Sequence, residues 1–322
     1  MAEKLLEVRH LKTYFYTTKG IVKAVDDISF TLNKGEVLGI AGESGCGKST
    51  TAYSLIRLVP PPGKIVSGEI IFEGRDILKL SNEEFRREIR WKKISMVFQG
   101  AMNALNPVFT VGDQIAEVLM LHKGLTKKEA MSEVYKLLQM VGIEPKRARS
   151  YPHELSGGMK QRVMIAMALA LNPPLVIADE PTTALDVVVQ AQIMNLLKKL
   201  QREQNMSIIL ITHDLSLIAE IADKVAIMYA GKIVEFGTAE QVFLNPQHPY
   251  TKGLLVSIPR IRGEIKKLEW IPGVPPDLIS PPPGCRFAPR CKFRFEPCNK
   301  EEPPIIEVEP GHYVMCWLYA KK

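Results

Sequence analysis

Residues 36–50 read EVLGIAGESGCGKST. Glu36 to Ala41 has the character of a short buried strand, and Thr50 to Leu58 is a helix-compatible segment. Between them, Gly42 to Ser49 fits the spacing G-x-x-x-x-G-K-[ST], in the strand, loop and helix setting that this spacing requires. Gly42, Gly45 and Gly47 free the backbone to turn its N–H groups inward around phosphates, and the following helix presents its positive end to them. Ser44, Cys46 and Thr50 share the lining. Lys48 is placed to reach the β and γ phosphates of ATP, and Ser49 to bind Mg²⁺. The Cys46 thiol reads as a spectator that fills space rather than as a redox gate.

A second apolar run, LVIADEP at residues 175–181, ends in two carboxylates. A continuous apolar run fits a strand buried in a parallel sheet, which delivers its polar residues at the carboxyl end, where ligands bind. Asp179 is a candidate Mg²⁺ ligand, and Glu180, one residue on, a candidate to polarise an attacking water. SIILIT at residues 207–212 is a third such strand, ending at His213. There the imidazole could donate to a γ-phosphate oxygen. Ile193, Leu196, Leu197 and Leu200 recur at helical spacing and mark the crossover between these two strands.

LSGGMKQR, residues 155–162, is by itself only a turn with two glycines before a helix expected over Met159 to Leu171. Taken with the elements above, it makes residues 5–255 resemble the ATP-binding subunits of ABC transporters. LSGGMKQR resembles their signature turn, Gln99 in MVFQG their Q-loop glutamine, Ala184-Leu185-Asp186 their D-loop, and His213 their switch histidine. The resemblance implies an α/β fold: a P-loop NTPase core, an antiparallel β subdomain, and a helical subdomain over about residues 100–165. It also implies that two ATPase domains close head to tail. Ser156, Gly157 and Gly158 then meet the nucleotide held by a second ATPase subunit, with Asp186 nearby, and Gln99 senses the γ-phosphate through Mg²⁺. Ala101 to about Val141 would touch the membrane subunits; Val134, Leu137, Leu138 and Val141 have helical spacing there. An aromatic upstream of the phosphate loop should stack on adenine, with Phe15 the best placed and Tyr16 and Tyr14 the alternatives. Ile28, Phe30 and Leu32 alternate with Ser29 and Thr31, as a half-buried antiparallel strand would. Glu180 and His213 are the residue types of hydrolysis-competent members, so ATPase activity is expected.

The rest of the chain narrows the class. The longest clear apolar run, Val163 to Leu171, is nine residues, too short to cross a bilayer. The amino terminus has no signal-peptide core, and a net charge of +7 over 322 residues fits a solvated basic surface. Twelve of the 23 prolines and four of the five cysteines follow residue 255. The expected division is therefore an ATPase domain, 1–255, and an extension, 256–322. NPQHPYTKGLL (245–255) and ALNPVFTVGDQI (104–115) resemble the oligopeptide, dipeptide and nickel importer subfamily, and Met159 its dipeptide-type subunit. This resemblance implies a peripheral protein on the cytoplasmic face of the membrane that energises uptake of di- and oligopeptides. Its implied partners are a second ATPase subunit (a paralogue, or a second copy), two transmembrane permease subunits and an extracytoplasmic solute-binding protein. Nickel or another solute is the alternative cargo. A soluble ABC ATPase acting on DNA or ribosomes is disfavoured by the single cassette and the lack of a long heptad run, and no nucleic-acid partner is expected.

The four tail cysteines, Cys285, Cys291, Cys298 and Cys316, are spaced C-x5-C-x6-C-x17-C. Disulfides do not suit a chain without an export signal, and zinc usually shows a close cysteine pair that is absent here. Unligated thiols and a [4Fe–4S] cluster, whose ligand spacings vary, both remain. The subfamily resemblance implies the cluster, with zinc as the alternative, and a metal staple would suit a proline-rich segment too short to bury a core unaided. Arg286, Arg290, Lys292 and Arg294 read as a solvated face or as hydrogen-bond donors to the cluster.

Overall fold

The structure is a computed structural model that describes residues 3–100, 104–256 and 271–320. The chain packs into two compact units. The first comprises Met1–Leu5, Leu32–Val37 and Arg75–Ile211; the second comprises Leu6–Thr31, Leu38–Gly74 and Thr212–Lys322.

In the first unit, the strands Ile94–Val97, Leu175–Asp179 and Ser207–Ile211 run parallel, with Ile94 opposite Leu175 and Ile177 opposite Ile209. Every residue of all three is buried, which is why their sequences are nearly continuous apolar runs, with Ser95, Asp179 and Ser207 the polar exceptions, rather than alternating ones. Asp186 caps the crossover helix Val187–Gln204 by accepting from the Val189 N–H at 2.9 Å, and Ile193, Leu196, Leu197 and Leu200 are its buried face. The helix Val111–Lys123 starts at Thr110 and stops at Gly124, whose φ of 67° only glycine adopts cheaply. Thr126 and Glu129 form a reciprocal capping box on the helix Lys127–Met140, which buries Ala130, Val134, Leu137 and Leu138. Both helices fall within residues 100–165, the span expected for a helical subdomain; Ala101–Asn103, near the start of that span, lies outside the described residues.

In the second unit, Leu38–Ala41 runs parallel to the strand Lys224–Tyr229, which turns at Ala230-Gly231 into the antiparallel strand Lys232–Thr238. A separate antiparallel sheet carries Gly20–Asn33, Lys4–Thr17 and Gly63–Phe72 in that order. Ile28, Phe30 and Leu32 point to its buried face as their alternation predicts. The helix Lys48–Leu55 packs beneath, and a buried hydroxyl pair, Thr13 with Ser54 at 2.8 Å, ties it to the sheet.

In the extension, Ile305–Glu309 and His312–Met315 form a hairpin whose second strand pairs with Lys232–Thr238, placing Val314 opposite Glu235. Rather than build a core of its own, the extension borrows one. Phe287 is 4% exposed and lies against Tyr229, Tyr250 and His248, with ring centroids 5.2, 5.5 and 5.8 Å away. Burying one such ring contributes roughly 1.5–3 kcal/mol. Glu235, fully buried, accepts from the backbone N–H groups of Gln247 (2.7 Å) and His248 (2.9 Å) and bonds the His312 ring at 2.8 Å. One carboxylate thus fixes the segment Gln247-His248-Pro249-Tyr250 and the tail hairpin together.

His248 is buried with Nδ1 accepting from the Tyr250 N–H at 3.0 Å. Burial, aided by Lys252, pushes its pKa down to about 3, against an opposing backbone bond to Met315. Between its ordinary value near 6.5 and about 3, the unfolded chain takes up a proton that the folded chain refuses, so stability falls as pH falls through that window. Thermal melts from pH 7.5 to pH 4.5 should show Tm dropping steeply in the native protein and distinctly less in His248→Gln, whose Tm at pH 7.5 is already lower. Equal pH slopes would refute this assignment.

Candidate nucleotide site

In the second unit the segment Gly42–Ser49 closes into a loop against the strand Lys224–Tyr229. Gly42, Gly45 and Gly47 have φ of 152°, 76° and 108°. Space as well as conformation demands glycine at the outer two: a Cβ on Gly42 would lie 2.1 Å from the Met228 carbonyl, and one on Gly47 2.2 Å from that of Ala24. Gly47 caps the helix Lys48–Leu55. Lys48 is buried and its ammonium donates to the carbonyls of Gly42 (2.7 Å) and Glu43 (3.0 Å). Cys46 is 4% exposed, and burial pushes its thiol pKa up, in keeping with a space-filling role. Ser44 and Gly45 are exposed, and Ser49 and Thr50 are half-buried.

Of the three aromatic candidates, Tyr14 is committed elsewhere, donating from its hydroxyl to Asp26 at 2.5 Å. Phe15 is half-buried and lies so close to Gly63 that a Cβ there would sit 2.7 Å from the ring. Tyr16 is 44% exposed with the Lys64 ammonium 5.9 Å from its ring centre. His213, exposed, follows Thr212 in this unit, next to Asp214, which caps the helix Leu215–Ile221.

The first unit brings together Gln99, Asp179 and Glu180. Asp179 is fully buried at the carboxyl end of its strand. Glu180 has left the strand with φ of 45°, its N–H donating to the Ile211 carbonyl at 2.8 Å. Its carboxylate accepts from the Gln99 amide at 2.9 Å and from the Thr183 hydroxyl at 2.8 Å. Thr183 carried no signal in the sequence, although its position three residues after Glu180 on a tight turn puts the two side chains within reach. Ser156 caps the helix Gly157–Leu169, accepting from the Met159 N–H at 3.4 Å. Gly158 is required sterically, since a Cβ there would meet Val189 at 2.6 Å. The D-loop turns at Ala184, with φ of 63°, and ends at Asp186.

Two of the four basic tail residues are a correction: Arg286 and Arg290 are 8% and 7% exposed, not a solvated face. Lys292 and Arg294 are exposed, as expected of such a face. Arg286 pairs with Asp26 and donates to the Ala230 carbonyl. Burial opposes ionisation of Asp26, but the Tyr14 hydroxyl, Lys232 and Arg286 together hold its pKa below the ordinary value. Arg290 pairs with Glu43, inside the phosphate loop. Glu43 is a site residue that the motif spacing gave no reason to single out, because the pattern leaves its position unspecified. Among the described residues, no three His, Cys, Asp or Glu side chains converge to hold a single metal ion.

The family pattern of the ABC transporters matches residues 25–183, and that of the oligopeptide/dipeptide transporter C-terminal region matches residues 234–298. The chain is 52% identical to the dipeptide transport ATP-binding protein DppD of Bacillus subtilis, over 99% of this chain and 96% of that one. It is also 52% identical to the oligopeptide transport ATP-binding protein OppD of Salmonella typhimurium, over 98% of this chain and 94% of that one. This chain belongs to the ABC transporter ATP-binding subunits. Its ATPase-cassette fold is shared with the dimeric post-hydrolysis state of the ATP-binding cassette MJ0796 bound to ADP and Pi (TM-score 0.65, 30% identity, covering 73% of this chain and 98% of that one). The chain is accordingly an ABC ATPase. Among its described residues, no helix is long and apolar enough to cross a membrane.

Glu180→Gln keeps the bonds from Gln99 and Thr183 but removes the carboxylate charge that a role in polarising water would require. Phosphate release should fall by roughly 10²–10⁴-fold, the usual contribution of a general base, while a fluorescent ATP analogue binds with unchanged affinity. Residual turnover above a tenth of wild type would remove Glu180 from this role.

Proposed function

We propose that this chain is the ATP-hydrolysing motor of a di- and oligopeptide importer, bound at the cytoplasmic face of the membrane. The observation that carries the cargo class is the match of residues 234–298 to the oligopeptide/dipeptide C-terminal region. That segment is built into the unit that holds the phosphate loop, through Glu235, His248 and Tyr250. Residues 1–255 are taken as the ATPase domain and 256–322 as its extension.

Lys48, the loop N–H groups and Ser49 bind the triphosphate, with Phe15 stacking on adenine. Ser49, Gln99 and Asp179 are the Mg²⁺ ligands. Asp179 suits that role, because a carboxylate buried at the end of an apolar strand is costly unless a cation or donors offset its charge. Bound Mg²⁺ neutralises charge developing on the phosphates. Glu180 polarises the attacking water, held in place by Gln99 and Thr183, and His213 donates to the γ-phosphate. A second ATPase subunit completes the site with its own Ser156, Gly157 and Gly158, in keeping with the dimeric cassette this fold resembles. Two permease subunits dock on the helical subdomain, where Val108, Phe109 and Leu121 are 70%, 54% and 76% exposed, too apolar for a face that stays in water. A solute-binding protein delivers the peptide from outside.

The extension is proposed to hold a [4Fe–4S] cluster. Its four thiols are close enough to affect one another's ionisation: Cys316 feels Cys285, Cys291 and Cys298. The Cys285 N–H donates to the Cys298 carbonyl at 2.8 Å. Burial raises Cys285 and Cys316 to about 11, so ligation must displace their protons. Four neighbouring thiols suit a cluster, which binds one thiolate per iron, and their spacing lacks the close cysteine pair usual for zinc.

Two measurements test this reading. In membrane vesicles carrying the whole transporter, uptake of a labelled dipeptide should require ATP and fall at least tenfold with Lys48→Ala. Uptake of nickel but not peptide would overturn the cargo. Protein purified without oxygen should carry about four irons and lose them in Cys298→Ser; zinc or no metal would overturn the cluster and leave the ATPase assignment standing.

A further inference from the structure

The cysteine tail meets the phosphate loop at Glu43. Arg290 donates to both carboxylate oxygens of Glu43, at 2.7 and 3.0 Å, across 247 positions of sequence. The same guanidinium is fixed from behind. Its Nε donates to the Pro272 carbonyl at 2.8 Å, and it lies 5.7 Å from the Tyr229 ring centre, with the Tyr229 hydroxyl at 3.4 Å. The backbone N–H of Glu43 donates to the Tyr250 hydroxyl at 2.9 Å. Tyr250 in turn packs on Phe287, which belongs with Arg290 to the segment between Cys285 and Cys291. The remaining polar group of Glu43, its carbonyl, is where Lys48 donates at 3.0 Å. All three handles of this residue are therefore held, one by the tail, one by Tyr250 on which the tail packs, and the third by the lysine that must swing to the phosphates.

The structure assigns Arg290 as a positioning residue for ATP: through Glu43 it sets the phosphate loop, and so couples the folded state of the cysteine segment to nucleotide affinity. Arg290 touches no substrate atom. Its effect passes through the Glu43 backbone, whose displacement moves both the loop floor and the resting contact of Lys48. A bidentate guanidinium–carboxylate pair suits this purpose, because its fork fixes orientation as well as distance. The adjacent Arg286 makes the neighbouring contact, on Asp26 and Ala230. The Gly231 N–H next to Ala230 donates to the Cys46 carbonyl at 2.9 Å, so the far end of the loop rests on the same turn. Coupling requires the segment Cys285–Cys291 to be folded, whatever its thiols hold.

The test is a double-mutant cycle on the full-length protein, read as KM for ATP, as kcat, and as the Kd of a fluorescent ATP analogue. Glu43→Gln is nearly isosteric and leaves the tail sequence intact. Arg290→Gln removes the other half of the pair, and Arg294→Gln changes tail charge without touching the loop. The expected result is a rise in KM and Kd of about fivefold or more in either pair variant, within the range typical of coupled sites. The double variant should be no worse than the worse single one, kcat should stay within twofold, and Arg294→Gln should match wild type. Cys298→Ser should raise KM in the native background and have no further effect on top of Glu43→Gln. Unchanged KM and Kd in Glu43→Gln, additive effects in the double variant, or an equal effect of Cys298→Ser in both backgrounds would each overturn the proposal. A fall in kcat with KM unchanged would do the same.

Discussion

A loop that aims its backbone N–H groups at a ligand has few groups left to hold its own shape, and in this protein that constraint organises the second unit. The turn Ala230-Gly231 supports the loop from below, through the Gly231 N–H on the Cys46 carbonyl. Glycine at positions 42 and 47 is demanded by carbonyls of Met228 and Ala24 scarcely more than 2 Å from where a side chain would begin. Glu43 is clamped by Tyr250 and Arg290. The sequence Gln247-His248-Pro249-Tyr250 and the cysteine segment thus support the phosphate loop as well as following it in the chain. Buried pairs such as Arg290–Glu43 and Arg286–Asp26 add little net stability over apolar packing, but they fix geometry, and breaking one partner strands a buried charge.

The first unit solves a different problem. Its three parallel strands are mostly apolar and carry acids only at an exit, Asp179 and Glu180. Glu180 leaves the strand in a conformation unfavourable for a non-glycine residue, held by a backbone bond to Ile211. Its carboxylate is then oriented by Gln99 and Thr183. The acid at the strand end and the side chains that aim it come from two segments, residues 179–183 and the stretch ending at Gln99, the arrangement expected of a site built on loops over a rigid sheet.

How much of this was legible in the sequence depends on the range of the interaction. The phosphate loop, the acidic strand end and the crossover helix were readable because their signals are local: fixed spacings, unbroken apolar runs and 3.6-residue periodicity. The tail was misread where its structure is non-local. Ile306 to Glu309 alternates over only four residues and the preceding Ile305 is 57% exposed, too short a signal to mark a strand before its partner His312–Met315 docks on Lys232–Thr238. Arg286 and Arg290 looked solvated because charged residues usually are; their partners Asp26 and Glu43 lie about 250 positions away. Phe287, a single aromatic among prolines, gave no pattern, yet it supplies the core that the short extension lacks by itself.

The claim on which the account turns is that the extension holds the phosphate loop in shape, and hydrogen exchange of the loop tests it most directly. Phe287→Ala removes the ring that Tyr250 leans on without altering a charge or a thiol. In full-length protein without nucleotide, peptides covering residues 42–58 should then exchange markedly faster than in wild type. Peptides from the helix Val111–Lys123 in the other unit should be unchanged. Faster exchange confined to residues 271–320, with the loop as protected as before, would show that the extension merely rests on the cassette and would contradict the account.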